Sequence, residues 1–247
     1  MEKTAIYDLA GYRVKIGYLY DHFREFASGY ELEGAEFDEE IQVTPEDIEF
    51  EAEKSRNENL AEGIPVIDYP PEYLETLAVY RKACDKLVMR DVLLFHSSAI
   101  AVDGKAYLFT APSGTGKSTH VRLWRKVYGD RVMMINDDKP LLSISPDGAI
   151  AHGTPWDGKH HRSNHVSVPI GGICLLGRGE KNRIRRISGV EALPTLMSQT
   201  YRPSGAPQIQ KTMELVLQMA KTVPLWKMEC NMDPEAAITA YEAMSQV

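Results

Sequence analysis

Cysteine is scarce in this chain of 247 residues, with three in all, and tryptophan matches it with three. The cysteines, Cys84, Cys174 and Cys230, are an odd number with no close spacing. That pattern excludes a disulfide framework and a zinc clip, and leaves a reducing, cytoplasmic setting as the expectation. No stretch approaches the roughly 18 uninterrupted apolar residues of a membrane span, and the N-terminal MEKTAIYDLAGYRVKI lacks the apolar centre of a secretory signal. Nor is there an aromatic-plus-basic motif, so no nucleic-acid partner is expected. Basic residues are missing altogether between Glu31 and Glu53, where 11 Asp or Glu stand.

That gap reflects a wider asymmetry. Residues 1–75 hold 20 acidic and 6 basic side chains, whereas residues 76–247 hold 15 acidic and 22 basic. An acidic leader precedes a mildly basic body. A solvated acidic face accounts for the leader; a guide for a basic partner is the sharper alternative. TAIYDLAGYRVKIGYLY alternates as one or two strands around Gly11, IQVTPEDIEFEAE reads as strand broken at Pro45, and Lys54–Gly63 reads as loop. These features predict a small, acidic, strand-rich N-terminal region over residues 1–65 and a larger core over 66–247.

From Pro71 apolar residues recur at helical spacing, and from Asp91 short strands take over. AYLFT is a strand that runs into Ala111-Pro-Ser-Gly-Thr-Gly-Lys-Ser-Thr119, and THVRLWRKV follows as a helix. This is a phosphate-binding loop with Ala111 in place of the first glycine. Backbone N–H groups of Ser113, Gly114, Thr115 and Gly116 would turn toward a phosphate, and the helix N-terminus adds its positive end. Lys117 would reach the β- and γ-phosphates of ATP, the Ser118 hydroxyl would ligate Mg²⁺, and Thr119 would support the loop or the α-phosphate.

RVMMIN is the next buried strand and ends in Asp137-Asp138. A strand ending in acid places a carboxylate beside Mg²⁺, and a second acid can accept a hydroxyl proton. Asp138 is expected mainly at the metal and Asp137 mainly at the hydroxyl, with the reverse order open. Pro140 suggests a turn that brings both to one site. The polar loop Gly153–His165, with Lys159 and Arg162, is expected to close over the phosphate and the acceptor.

APSGTGKST, the pair in INDD and His96 in LLFHSSAIAVDGKAYLF together resemble the HPr kinase/phosphorylase family and its smaller bacterial relatives, among them kinases of lasso-peptide serines. The likeness spans about residues 90–245. It implies an α/β fold: a mixed-sheet P-loop kinase core of the phosphoenolpyruvate-carboxykinase-like type, here with the small acidic region in front. It also implies that His96 sits near the phosphates and orients the catalytic acid. After the acid pair, AHGTPWDGKHHRSNHVSVPIGG stands where HPr kinases carry a signature resembling LEIRGLGI. The expected activity is ATP-dependent, Mg²⁺-requiring transfer of the γ-phosphoryl group to a hydroxyl of a peptide, protein or small serine-like alcohol. The alternative is a non-catalytic nucleotide-binding regulatory or peptide-binding module. Oligomeric state, including a homo-oligomer, is left open.

Overall fold

The computed structural model describes residues 3–158 and 162–246. The chain divides into two compact units, Met1–Lys86 and Leu87–Val247. Among the described residues no helix is long and apolar enough to cross a membrane.

The first unit opens with a hairpin, β1 (Lys3–Leu9) and β2 (Tyr12–Tyr18). Its two-residue turn needs positive φ at both positions, and Ala10 and Gly11 supply it at 58° and 84°. A short helix α1 (Asp21–Phe26) follows, then β3 (Glu31–Leu32) and β4 (Glu39–Gln42), giving a sheet of order β3-β1-β2-β4. Tyr7, Val14, Ile16 and Phe23 fill its core.

Next comes α2 (Pro45–Glu62), an 18-residue helix where the sequence suggested strand and loop. The reason lies at its start. Thr44 precedes a proline at the first helical position, and its N–H donates to Asp47 Oδ2 at 3.0 Å. Pro45 therefore starts a helix instead of breaking a strand. Gly63, at φ 68°, ends it. Helix α3 (Pro71–Leu87) follows, and nearly all of it belongs to the first unit. The division after Lys86, in place of one near residue 65, has a physical source. Glu75 of α3 accepts the N–H groups of Leu19 and Tyr20, and Arg81 pairs with two acids of α2.

The second unit is built on a nine-stranded mixed sheet. In chain order its strands and helices are β5 (Val92–Leu94), β6 (Ser98–Val102), β7 (Lys105–Thr110), α4 (Lys117–Tyr128), β8 (Met133–Asn136), β9 (Leu141–Ser145), β10 (Gly148–His152), β11 (Ser167–Arg178), β12 (Arg183–Arg186), α5 (Gly189–Gln199), α6 (Ala206–Thr222), β13 (Leu225–Cys230) and α7 (Glu235–Met244). Strands β7, β11 and β13 are parallel; β6, β8, β10 and β12 pair antiparallel with their neighbours. β11 joins the two halves of the sheet. Its start pairs with β10 and its end with β13, and against β7 it shifts register between Ile170 and Gly172. Gly172 is required there, because a Cβ would meet the Trp226 ring at 2.2 Å.

Alternation along β7 divides the core. Leu108 packs on one face with Leu196 of α5 and Val216 and Met219 of α6. Phe109 packs on the other with Trp124 of α4 and Ala237 and Ala240 of α7. Cys174 is buried in this second layer. The sheet thus fixes the carboxyl end of β7 and the start of α4 from both sides.

Candidate active site

The loop from β7 to α4 lines a cleft of about 400 Å³. Its curvature depends on Gly114 and Gly116, at φ 74° and 123°, where a side chain would be strained. Gly116 is the N-cap of α4 and offers no side chain to the first-turn amides. Those N–H groups and the positive end of the helix are the features that favour an anion at such a loop. Ala111, buried at the loop entrance, accepts a hydrogen bond from Lys117 Nζ at 2.9 Å through its carbonyl. Burial pushes the Lys117 ammonium below its ordinary value, against the pull of Asp138 and Asp137. Among the described residues Lys117 makes no ion pair of its own.

The acids arrive from β8. Successive residues of a straight strand face opposite ways, yet Asp137 and Asp138 both line the cleft. Asn136 produces the turn. Its Oδ1 accepts the N–H groups of Asp138 at 2.9 Å and Lys139 at 2.6 Å, while its Nδ2 donates to the Thr154 carbonyl at 3.0 Å. The turn expected from Pro140 is therefore made by buried Asn136, directly after the apolar run Val132–Ile135.

The two acids have different surroundings. Asp137 is buried, and its Oδ1 accepts from Ser98 Oγ at 2.8 Å. Its Oδ2 has no hydrogen-bond partner among the described residues. Asp138 Oδ1 lies 3.2 Å from His96 Nε2, and its Oδ2 lies 3.5 Å from Lys139 Nζ. Burial alone would raise the Asp138 carboxyl, but the His96 hydrogen bond and the Lys139 charge outweigh it and hold the group below the usual aspartate range. His96 is clamped through its backbone. Its N–H donates to the Gln199 carbonyl at 2.7 Å, and its own carbonyl accepts from Thr110 Oγ1 at 2.9 Å.

Ser113, Gly114, Gly116, Lys117, Ser118, Thr119, His96, Asp137 and Asp138 thus share one cleft. Thr115 lines an adjoining pocket instead. Arg162 is exposed and does not line the cleft, and Lys159 lies outside the described residues. Two lining or supporting residues, Arg122 and Arg178, lie outside the sequence-based expectations, while Asp157 and Gly158 belong to the loop Gly153–His165 already singled out. Asp157 is buried and lines the cleft, brought there by the turn after Thr154. Arg122, one turn into α4, also lines it and donates to Thr119 Oγ1 at 3.0 Å. Arg178, at the end of β11, donates to the carbonyls of Gly114 and Thr115 at 2.5 and 3.3 Å and ties the loop to the sheet. A helical offset from Thr119 would have indicated Arg122; no local signal marks Arg178.

Among the described residues no three His, Cys, Asp or Glu side chains cluster as a metal cage. The donors that line the cleft are mainly hard oxygens, among them the Ser118 hydroxyl and the carboxylates of Asp137, Asp138 and Asp157, with the His96 imidazole engaged by Asp138. Such a set fits Mg²⁺, which keeps waters and shares substrate phosphates instead of filling a protein cage.

No protein-family model matches the chain, and no curated protein is similar to it in sequence. Among solved structures it is similar to the HPr(Ser) kinase/phosphatase from Coxiella burnetii, at 10% identity and a TM-score of 0.36. The alignment covers 62% of this chain and 95% of that one, a distant likeness of fold.

Proposed function

We propose that the second unit is an ATP-dependent kinase that transfers the γ-phosphoryl group to a hydroxyl, of serine type, on a peptide, a protein or a small alcohol. One observation carries the reading. A glycine-shaped loop with a buried lysine and a turned pair of carboxylates line the same cleft. Phosphoryl transfer needs positioning and charge neutralisation more than covalent participation, and this cleft offers both.

The loop amides and Lys117 would hold the β- and γ-phosphates. Lys117 is suited to the task because its only described hydrogen bond is to a backbone carbonyl, which a phosphate oxygen can replace. Ser118 and Asp138 would hold Mg²⁺, which when bound neutralises phosphate charge. Asp138 fits that place because its carboxyl stays ionised. Asp137 would accept the proton of the acceptor hydroxyl at its second oxygen, while Ser98 fixes the first. His96 would orient Asp138.

The test is ATP turnover with and without serine peptides and small alcohols, alongside Lys117→Ala. Acceptor-dependent transfer that disappears in Lys117→Ala, with unfolding midpoints alike, supports the reading. ATP binding without transfer to any hydroxyl would favour a nucleotide-binding module. Equal ATP affinity and activity in both proteins would overturn the phosphate-loop assignment.

A further inference from the structure

A second pocket, of about 500 Å³, opens on the other side of the same loop. The two cavities share Gly114, Gly116 and Thr119. The phosphate cleft is predominantly polar in its residues, with acids, lysine and serine. The second pocket is walled by Leu123 of α4, Leu176 and Arg178 of β11, Cys230 of β13, and Met232 just beyond it. Its size is in the range of small-molecule sites, roughly 300–1,000 Å³.

Two of the polar side chains here are already engaged. Asn231 donates to the Glu180 carbonyl at 3.1 Å and to Asp233 Oδ2 at 2.9 Å, and accepts from the Asp233 N–H at 3.0 Å. Arg178 donates to the loop carbonyls. Alongside them is an apolar wall of leucine, thioether and thiol beside a guanidinium plane. That surface suits a flat, polarisable ring, which gains from stacking and from contact with sulfur.

We infer that this pocket receives the nucleoside end of the phosphoryl donor, with the base against Leu123, Leu176, Cys230 and Met232 and the phosphates passing over Gly114–Thr119 into the acid-lined cleft. The inference rests on the phosphate-loop reading above. It adds a place for the part of the donor that the loop motif does not address. The base is bound there by contact, and the donor is thereby fixed at both ends of the loop.

Comparing ATP with inorganic tripolyphosphate, which has no base, separates the two claims. The variants are Leu123→Gln and Met232→Gln. Both are neutral; Met232 is 78% exposed, whereas Leu123 is half-buried against the Trp124 core, so unfolding midpoints of the double variant and the parent are compared alongside and must agree. In the double variant, ATP affinity measured by calorimetry should fall about tenfold, while tripolyphosphate affinity stays within about twofold of the parent. A second measurement needs no substitution. Cys84 and Cys174 are buried and Cys230 is not, so N-ethylmaleimide at mildly alkaline pH labels chiefly Cys230. ATP should protect that thiol and tripolyphosphate should not. Unchanged ATP affinity in the double variant, equal losses for both ligands, or equal protection by both would overturn the base pocket and leave the phosphate site standing. A parent protein that binds neither ligand would overturn both.

Discussion

Carboxylates are far denser in the first unit than in the second, yet among the described residues it is the second that brings Asp137, Asp138 and Asp157 to one cleft. In the first unit the buried acids are spoken for. Arg81 Nε donates to Glu51 at 2.6 Å and its Nη2 to Asp47 at 2.9 Å, and Lys82 reaches Asp47 at 2.7 Å. Glu75, fully buried, accepts two backbone N–H groups. Those acids hold α2 and α3 to the fold. In the second unit Asp137 has one oxygen fixed by Ser98 and one facing the cleft, and Asp138 keeps its charge between His96 and Lys139. The difference teaches that the number of charges does not mark chemistry. Coordination capacity left over after folding does.

The contrast can be broken at its strongest point first. Arg81→Ala takes from buried Glu51 its close partner, leaving Lys54 at 3.7 Å, while Asp47 keeps Lys82; breaking a buried pair costs at most about 3–5 kcal/mol. Denaturant unfolding of the first unit should move to a much lower midpoint, with nucleotide binding retained. An unmoved midpoint would mean that these acids are solvated and the contrast is false.

A smaller effect concerns the second unit's own scaffold. His120 lies beneath the loop, buried, accepting from Trp124 Nε1 at 3.0 Å. Burial pushes its imidazole down from 6.5 to about 4, so the fold accepts the neutral ring. The unfolded chain binds the proton more readily in that window. Stability should therefore be full above about pH 6.5 and fall as pH drops toward 4, by about 3 kcal/mol at most. His120→Gln keeps an acceptor for Trp124 and should flatten that part of the profile. Unfolding midpoints at about pH 7.5 and pH 4.5 for both proteins check it; parallel profiles would contradict it.

The smallest effect sharpens the contrast from the other side. Glu49 and Glu53 are exposed on α2. Changing both to Gln should alter stability by less than about 0.5 kcal/mol and leave phosphate transfer unchanged. A marked loss of transfer would give the acidic leader a part in acceptor binding.

How far the sequence carried these conclusions differs by region for a physical reason. The β7 strand, the loop and α4 were legible because their signals are local: an apolar run, glycines at the φ > 0 positions and an amphipathic helix. The acid pair was legible as a strand end. That both acids reach one cleft depends on Asn136, whose side chain acts two and three residues on and also bonds Thr154 across the fold. Arg178 joins the site only through sheet topology, which no short window contains. In the first unit, the alternation in EDIEFEAE imitated a strand, while the decisive evidence was the Thr44-Pro45 start and its bond to Asp47. His96 was indicated by family likeness, and the structure sets it 3.2 Å from Asp138.

The most direct measurement of the central claim compares Asp137→Asn and Asp138→Asn with the parent, each assayed for Mg-ATP binding and for transfer to a hydroxyl acceptor. Asp137→Asn should bind Mg-ATP normally and lose turnover by about 10²–10⁴-fold. Asp138→Asn should lose turnover and also require more Mg²⁺ to bind ATP, since it removes a metal-facing charge. If both variants bind and transfer like the parent, the paired acids are not catalytic, and the second unit is a nucleotide-binding module without the chemistry assigned to it.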